Sequence, residues 1–137
     1  MKRILTLLLM SLLAVTKTLA AATNGSCGES VTWKYDEKSK TLTISGEGEM
    51  TNYETPGDLP WAPYRQDIVA VVMRGEVLTS LSDYAFYGYS ALRTIVVEAL
   101  FPPEYGNFAF TNIRPDATLT VPAGKKEDYQ EADGWSS

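Results

Sequence analysis

One spacing constrains this chain more than any other feature. Tyr84-Ala85-Phe86 returns as Phe108-Ala109-Phe110, twenty-four residues later. Ile68-Val69-Ala70-Val71-Val72-Met73 returns at the same distance as Leu92-Arg93-Thr94-Ile95-Val96-Val97, and Thr118-Leu119-Thr120-Val121 repeats the end of that run once more. A fixed period of about 20–50 residues marks a repeat architecture, in which no unit buries a core alone and stacked neighbours build one together. Alternation within each run predicts a strand that sends Val71/Met73, Ile95/Val97 and Leu119/Val121 inward. Phe86 and Phe110 then wedge the return path of each turn. The expected fold is a β-rich (α+β) solenoid whose strands stack in parallel.

The segments on either side do not follow the period. Lys2-Arg3, the mostly apolar Ile4–Val15 and the small residues Ala20-Ala21-Ala22 have the order of a secretory signal peptide, expected over 1–22. The apolar run is shorter than the ~18–20 residues of a membrane anchor. The remaining 23–137 read as a single domain. Val31, Trp33 and Tyr35 alternate with polar residues, as do Leu42 and Ile44, and Asp36–Lys40 connects the two runs. This pattern predicts a β-hairpin, placed within an N-terminal cap over 23–67 that closes the open end of the stack. Within that cap, Thr55-Pro56-Gly57-Asp58 is a turn signal, and Pro60, Trp61, Pro63 and Tyr64 form a stiff aromatic corner. The repeats occupy 68–122. A C-terminal cap follows over 123–137, with a short helix from Lys125 to Ala132, a stop at Asp133-Gly134, and Trp135 packed over the last strand.

Composition narrows the function. The 137 residues carry a net charge of −5, without the basic patch that phosphate binding needs, so nucleic acid is not an expected partner. There is no histidine, so a Ser-His-Asp triad is excluded along with the commonest metal ligand. The single cysteine, Cys27, has no intrachain partner and reads as an unacylated thiol or a small packing residue. The carboxylate pairs Asp36/Glu37, Glu47/Glu49 and Glu127/Asp128 sit on turns or at a helix start, without the spacing of a calcium loop, and read as solvated charge. No cofactor is expected, and no enzyme.

Several stretches resemble one family. Leu92-x-x-Ile95-x-Val97 is similar to a leucine-rich-repeat strand. Leu78-Thr79-Ser80-Leu81, continuing to Ala85-Phe86-Tyr87-Gly88, resembles the turn segment of the BspA-type leucine-rich repeats of bacterial surface proteins. Cys27-Gly28-Glu29 with Val31-Thr32-Trp33, Leu42-Thr43-Ile44-Ser45-Gly46, and Pro60-Trp61-x-x-Tyr64 resemble the opening of that family. Thr118-Leu119-x-Val121-Pro122 with Tyr129 and Gly134-Trp135 resembles its closing segment. The chain departs from the pattern in having two repeats and a fraction, in Tyr89 where cysteine is common, and in Glu98–Asn107, which replaces the usual connection. The resemblance implies a secreted or cell-surface module that adheres to protein or glycan.

Residues that alternate with the core positions face outward. The period sets them in rows: Ala70, Thr94, Thr118; Val72, Val96, Thr120; Arg74, Glu98, Pro122. The expected ligand site is this sheet face, with Val72, Arg74, Thr94, Val96, Glu98 and Thr120. Val72 beside Val96 supplies an apolar strip, and Arg74 beside Glu98 an ion pair. A second candidate is the corner of Trp61 and Tyr64, read either as a stacking site for a sugar or proline peptide or as a seal on the core. Self-association or docking onto a larger surface protein is the alternative function, and secreted hydrolysis a remote one.

Overall fold

The computed structural model describes residues 21–135. The signal-peptide reading falls almost wholly outside them.

A six-stranded sheet forms one wall of the molecule. Its strands, in spatial order, are β1 (Asn24–Ser26), β2 (Val31–Asp36), β3 (Thr41–Gly46), β5 (Ala70–Arg74), β7 (Thr94–Val97) and β8 (Thr118–Thr120). β1, β2 and β3 pair antiparallel, and every later pairing is parallel. β4 (Gly48–Glu49) and β6 (Leu78–Ser80) pair separately. Short 3-10 turns occupy Pro56–Asp58 and Ala62–Tyr64, and the helix α1 spans Lys126–Glu131. No helix among the described residues is long and apolar enough to cross a membrane.

The period becomes the register. Ala70 lies beside Thr94 and Thr94 beside Thr118, each twenty-four residues on. Inward Val71, Met73, Ile95 and Val97 are buried, as are Val31, Trp33, Tyr35, Leu42 and Ile44 of the hairpin. The hairpin is more than a cap, because β3 is itself the first strand of the parallel ladder, with Thr41 beside Ala70. β1, whose Asn24-Gly25-Ser26 carries no strand pattern, adds the outer edge.

Opposite the sheet, one aromatic side chain per turn forms a column along the stack. Trp61 stacks on Phe86 at 6.1 Å and Phe86 on Phe110 at 5.2 Å. Trp33 closes the first end edge-on to Trp61 at 6.1 Å, and Trp135 closes the last edge-on to Phe110 at 5.4 Å. Such pairs add about 0.5–1.5 kcal/mol each beyond the area they bury. Backbone bonds run beside the column from turn to turn: Phe86 N–H donates to the Ala109 carbonyl at 2.7 Å and Gly88 N–H to Thr111 at 2.8 Å. Outside these, Asp83 N–H donates to Asn52 Oδ1, and Asn107 N–H to Asp83 Oδ1, both at 2.8 Å.

Two expectations at the C-terminal end are corrected. Leu119 points inward by parity yet remains 39% exposed, and Val121 is only half-buried. The reason is positional: among the described residues β8 has a strand neighbour on one side only. Trp135 is buried, but against Phe110, Tyr105 and Tyr129 rather than over β8, with its indole N–H on the Pro103 carbonyl at 2.8 Å.

Candidate functional site: the outer sheet face

Parallel pairing in step turns the outward residues into rows. Lys34, Thr43, Val72, Val96 and Thr120 cross the sheet in one line. Asp36, Thr41, Ala70, Thr94 and Thr118 form the adjacent line. On the other side, Thr32, Ser45 and Arg74 lie in a third row with Glu98. Neighbouring strands stand about 4.8 Å apart, so each row is a regular array.

All six residues expected on this face share it. Val72, Val96 and Thr94 are half-buried by their row neighbours, and Thr120 is exposed at the end of its row. Arg74 Nε lies 3.9 Å from Glu98 Oε2, with side chains 67% and 50% exposed, so the pair contributes about 0–1 kcal/mol. It fixes charge at the border of the apolar pair more than it stabilises the fold. Asp36, at the far end of the face, accepts hydrogen bonds from Ser39 Oγ at 2.9 Å and Lys38 N–H at 3.2 Å. The Ser39 bond, ahead of the Lys38 backbone bond, holds its carboxyl below the usual range.

The aromatic corner comes apart. Trp61 is fully buried, and its indole N–H donates to the Ala85 carbonyl at 3.1 Å, so no ligand reaches its ring. It fills in the first turn the place that Phe86 and Phe110 fill in the next two. Tyr64 is half-buried, stacked on Tyr35 at 4.3 Å, with its hydroxyl donating to the Ala22 carbonyl at 2.8 Å. The seal reading holds for Trp61, and Tyr64 alone keeps a partly open ring.

The remaining titratable and nucleophilic side chains lie apart from the sheet face. No three His, Cys, Asp or Glu side chains converge among the described residues. Asp128 lies 3.8 Å from Lys125, and Glu127 is exposed on α1. Ser82, a buried polar residue, accepts from Tyr53 N–H at 2.7 Å and donates to the Asp83 carbonyl at 2.9 Å, both structural bonds. Cys27 is buried, and burial pushes its thiol up to about 12, which makes it a packing group rather than a nucleophile.

Sequence reasoning missed a recess of about 340 Å³ at the open end, lined by Ile95, Phe110, Ile113, Leu119 and Trp135 among others. Parity gave the direction of Leu119, and nothing local signalled that its destination is uncovered.

A leucine-rich repeat protein from Eubacterium ventriosum, known from a crystal structure, superimposes on this chain with a TM-score of 0.61. The fold is a leucine-rich-repeat fold. The match covers 72% of this chain at 21% identity, and this chain spans 25% of the length of that protein. No protein-family model and no curated protein matches the sequence. The leucine-rich-repeat fold accounts for both the parallel ladder and its outward rows, since stacked turns of one length present like positions side by side.

Proposed function

We propose that this chain is a non-catalytic recognition module of the BspA type, acting outside the cytoplasm, whose sheet face receives a protein partner. The observation that carries the reading is the Val72–Val96 pair, held side by side on an open face between hydroxyl rows and the Arg74–Glu98 border. Apolar surface rimmed by fixed charge gives a partner both contact area and orientation. Lys2-Arg3 and the apolar run after them support export. The motifs that resemble the BspA type support adhesion to surface components, with glycan as the other ligand class.

The test is a binding screen of the purified protein against matrix proteins, mucins and bacterial polysaccharides, with a Val72→Glu/Val96→Glu variant alongside. A protein hit lost in the variant is the expected result. A hit that survives it removes the sheet face from the reading. A hit confined to polysaccharide replaces the protein partner with a glycan. Assembly is the second reading, and the open edge at β8 favours it.

A further inference from the structure

Among the described residues β8 ends the sheet, with an edge whose free groups can be assigned. Thr118 N–H donates inward to the Arg93 carbonyl of the β7 side at 2.9 Å. Along a strand, the N–H and C=O of one residue point to the same side and successive residues alternate. The groups of Leu119 therefore point away from β7, to the outside, and the same alternation continued one residue past the strand turns those of Val121 the same way. Ala117 shares their parity, but its N–H is already bonded to the Arg114 carbonyl at 3.2 Å, which leaves its carbonyl free.

We propose that this edge pairs antiparallel with the same edge of a second copy, about a two-fold axis at Leu119. The occupant follows from the self-complementarity of the edge. Centring the pair on Leu119 lets each copy's Leu119 exchange N–H···O bonds with the other, and sets Val121 N–H on the second copy's Ala117 carbonyl. The return bond of that outer pair, from Ala117 N–H to the second copy's Val121 carbonyl, is not made, because the Ala117 N–H stays on the Arg114 carbonyl; the pairing rests on the Leu119 and Val121 N–H groups. Thr118 meets the second copy's Thr120 on the sheet face, a favourable cross-strand pair. Opposite residues are uncharged throughout Ala117–Val121, and just outside it Asp116 meets Pro122 and Arg114 meets Gly124, so no like charges face each other. Pro122, which has no N–H, stands at a position directed toward β7, where the pairing needs none.

Side chains agree with the backbone. Leu119, 39% exposed, meets its counterpart on the core side, at the mouth of the recess lined by Ile95, Phe110, Ile113 and Trp135. The devices that protect solvent-facing edges, a lysine or an inward charge, are absent from Thr118-Leu119-Thr120. Head-to-tail growth through β1 fits less well. The core-side residue there is Gly25, which has no side chain to cover Leu119 and would leave the chain of copies open-ended. The two-fold pairing closes, and it joins two outer faces into one.

The experiment is sedimentation velocity of the purified protein over a dilution series, with amide hydrogen exchange at both ends of the series. A reversible dimer is expected. Leu119 and Val121 amides should be protected at high concentration and exchange on dilution, while the Thr118 amide stays protected throughout. Leu119→Lys should weaken dimerisation by roughly 10-fold or more, about 1.4 kcal/mol, with an unchanged thermal midpoint at dilutions where both proteins are monomeric. Val72→Glu, which abolishes the site proposed above, should leave the dimer intact. A protein that stays monomeric at every concentration overturns the inference. So does a dimer that tolerates Leu119→Lys, one that Val72→Glu disrupts, or one in which the Leu119 and Val121 amides exchange regardless of concentration. The exchange data decide the matter even where a variant folds poorly.

Discussion

Phe86 and Tyr89 touch, with ring centroids 5.8 Å apart, and both are buried, yet their substitutions should behave oppositely. Phe86 is the middle of the aromatic column and contacts Trp61 on one side and Phe110 on the other. Phe86→Ala should cost ~3–5 kcal/mol, because the lost transfer energy is joined by a cavity that two rigid rings do not close. Tyr89 carries a buried hydroxyl that makes no well-formed hydrogen bond among the described residues, since the nearby Trp61 indole N–H is directed to the Ala85 carbonyl. Tyr89→Phe removes an unsatisfied polar group and keeps the ring, so urea denaturation should show stability unchanged or raised by about 1 kcal/mol. A loss above that size would mean that the hydroxyl is bonded after all.

Each turn is built from a strand, a corner and a return, and these differ in how legible they were. Strand alternation and the register at twenty-four residues were plain, because both are written in side-chain polarity and both survive in the ladder. Trp61 was obscure because it stands twenty-five residues before Phe86, one step off the period, and so read as an outlying aromatic rather than as the first member of the column. The outer bonds of Asn52, Asp83 and Asn107 were invisible for a similar reason, since their spacing changes from thirty-one residues to twenty-four. The sheet-face rows were legible for the repeat strands alone; the hairpin's share of them (Lys34 and Thr43, Asp36 and Thr41, Thr32 and Ser45) was not, because β2 and β3 lie off the period, and the exposure of Leu119 depends on what lies beyond it, which no local pattern records. Corners carry their own constraint. Gly75, which follows β5, has φ of +124°, and a Cβ there would lie 2.0 Å from the Gly46 carbonyl oxygen at the end of β3. Gly75→Ala should therefore push two neighbouring strand ends apart and destabilise by about 1–3 kcal/mol. A thermal melt shifted downward, together with faster amide exchange in β3 and β5, is the expected signature.

The whole molecule should respond to pH in an unusual window. With no histidine in the chain, nothing titrates through the middle range from an ordinary imidazole value, so stability should be flat near neutrality. At the alkaline end, burial pushes the Cys27 thiol from 9.0 up to about 12 and the Tyr129 hydroxyl from 10.0 up to about 12, and raises Tyr89 as well. The unfolded chain gives up these protons first while the fold retains them, so the stabilising difference is complete below pH 9 and is lost as pH rises toward 12. Denaturant midpoints measured across that range should fall, and Cys27→Ala should make the early part of the fall shallower. The same ladder also decides where the chain tolerates a change of length. Thr41 and Ala70 are neighbours across twenty-nine residues, Ala70 and Thr94 across twenty-four, and both pairs sit in step. The surplus is taken up on the return path between β3 and β5, which holds both 3-10 turns, without displacing any strand. One residue gained or lost within a strand would exchange core for solvent along the rest of it, much as a frameshift corrupts everything downstream. Strands in this molecule are read in a fixed frame, and its return loops are the margin in which insertions and deletions can accumulate.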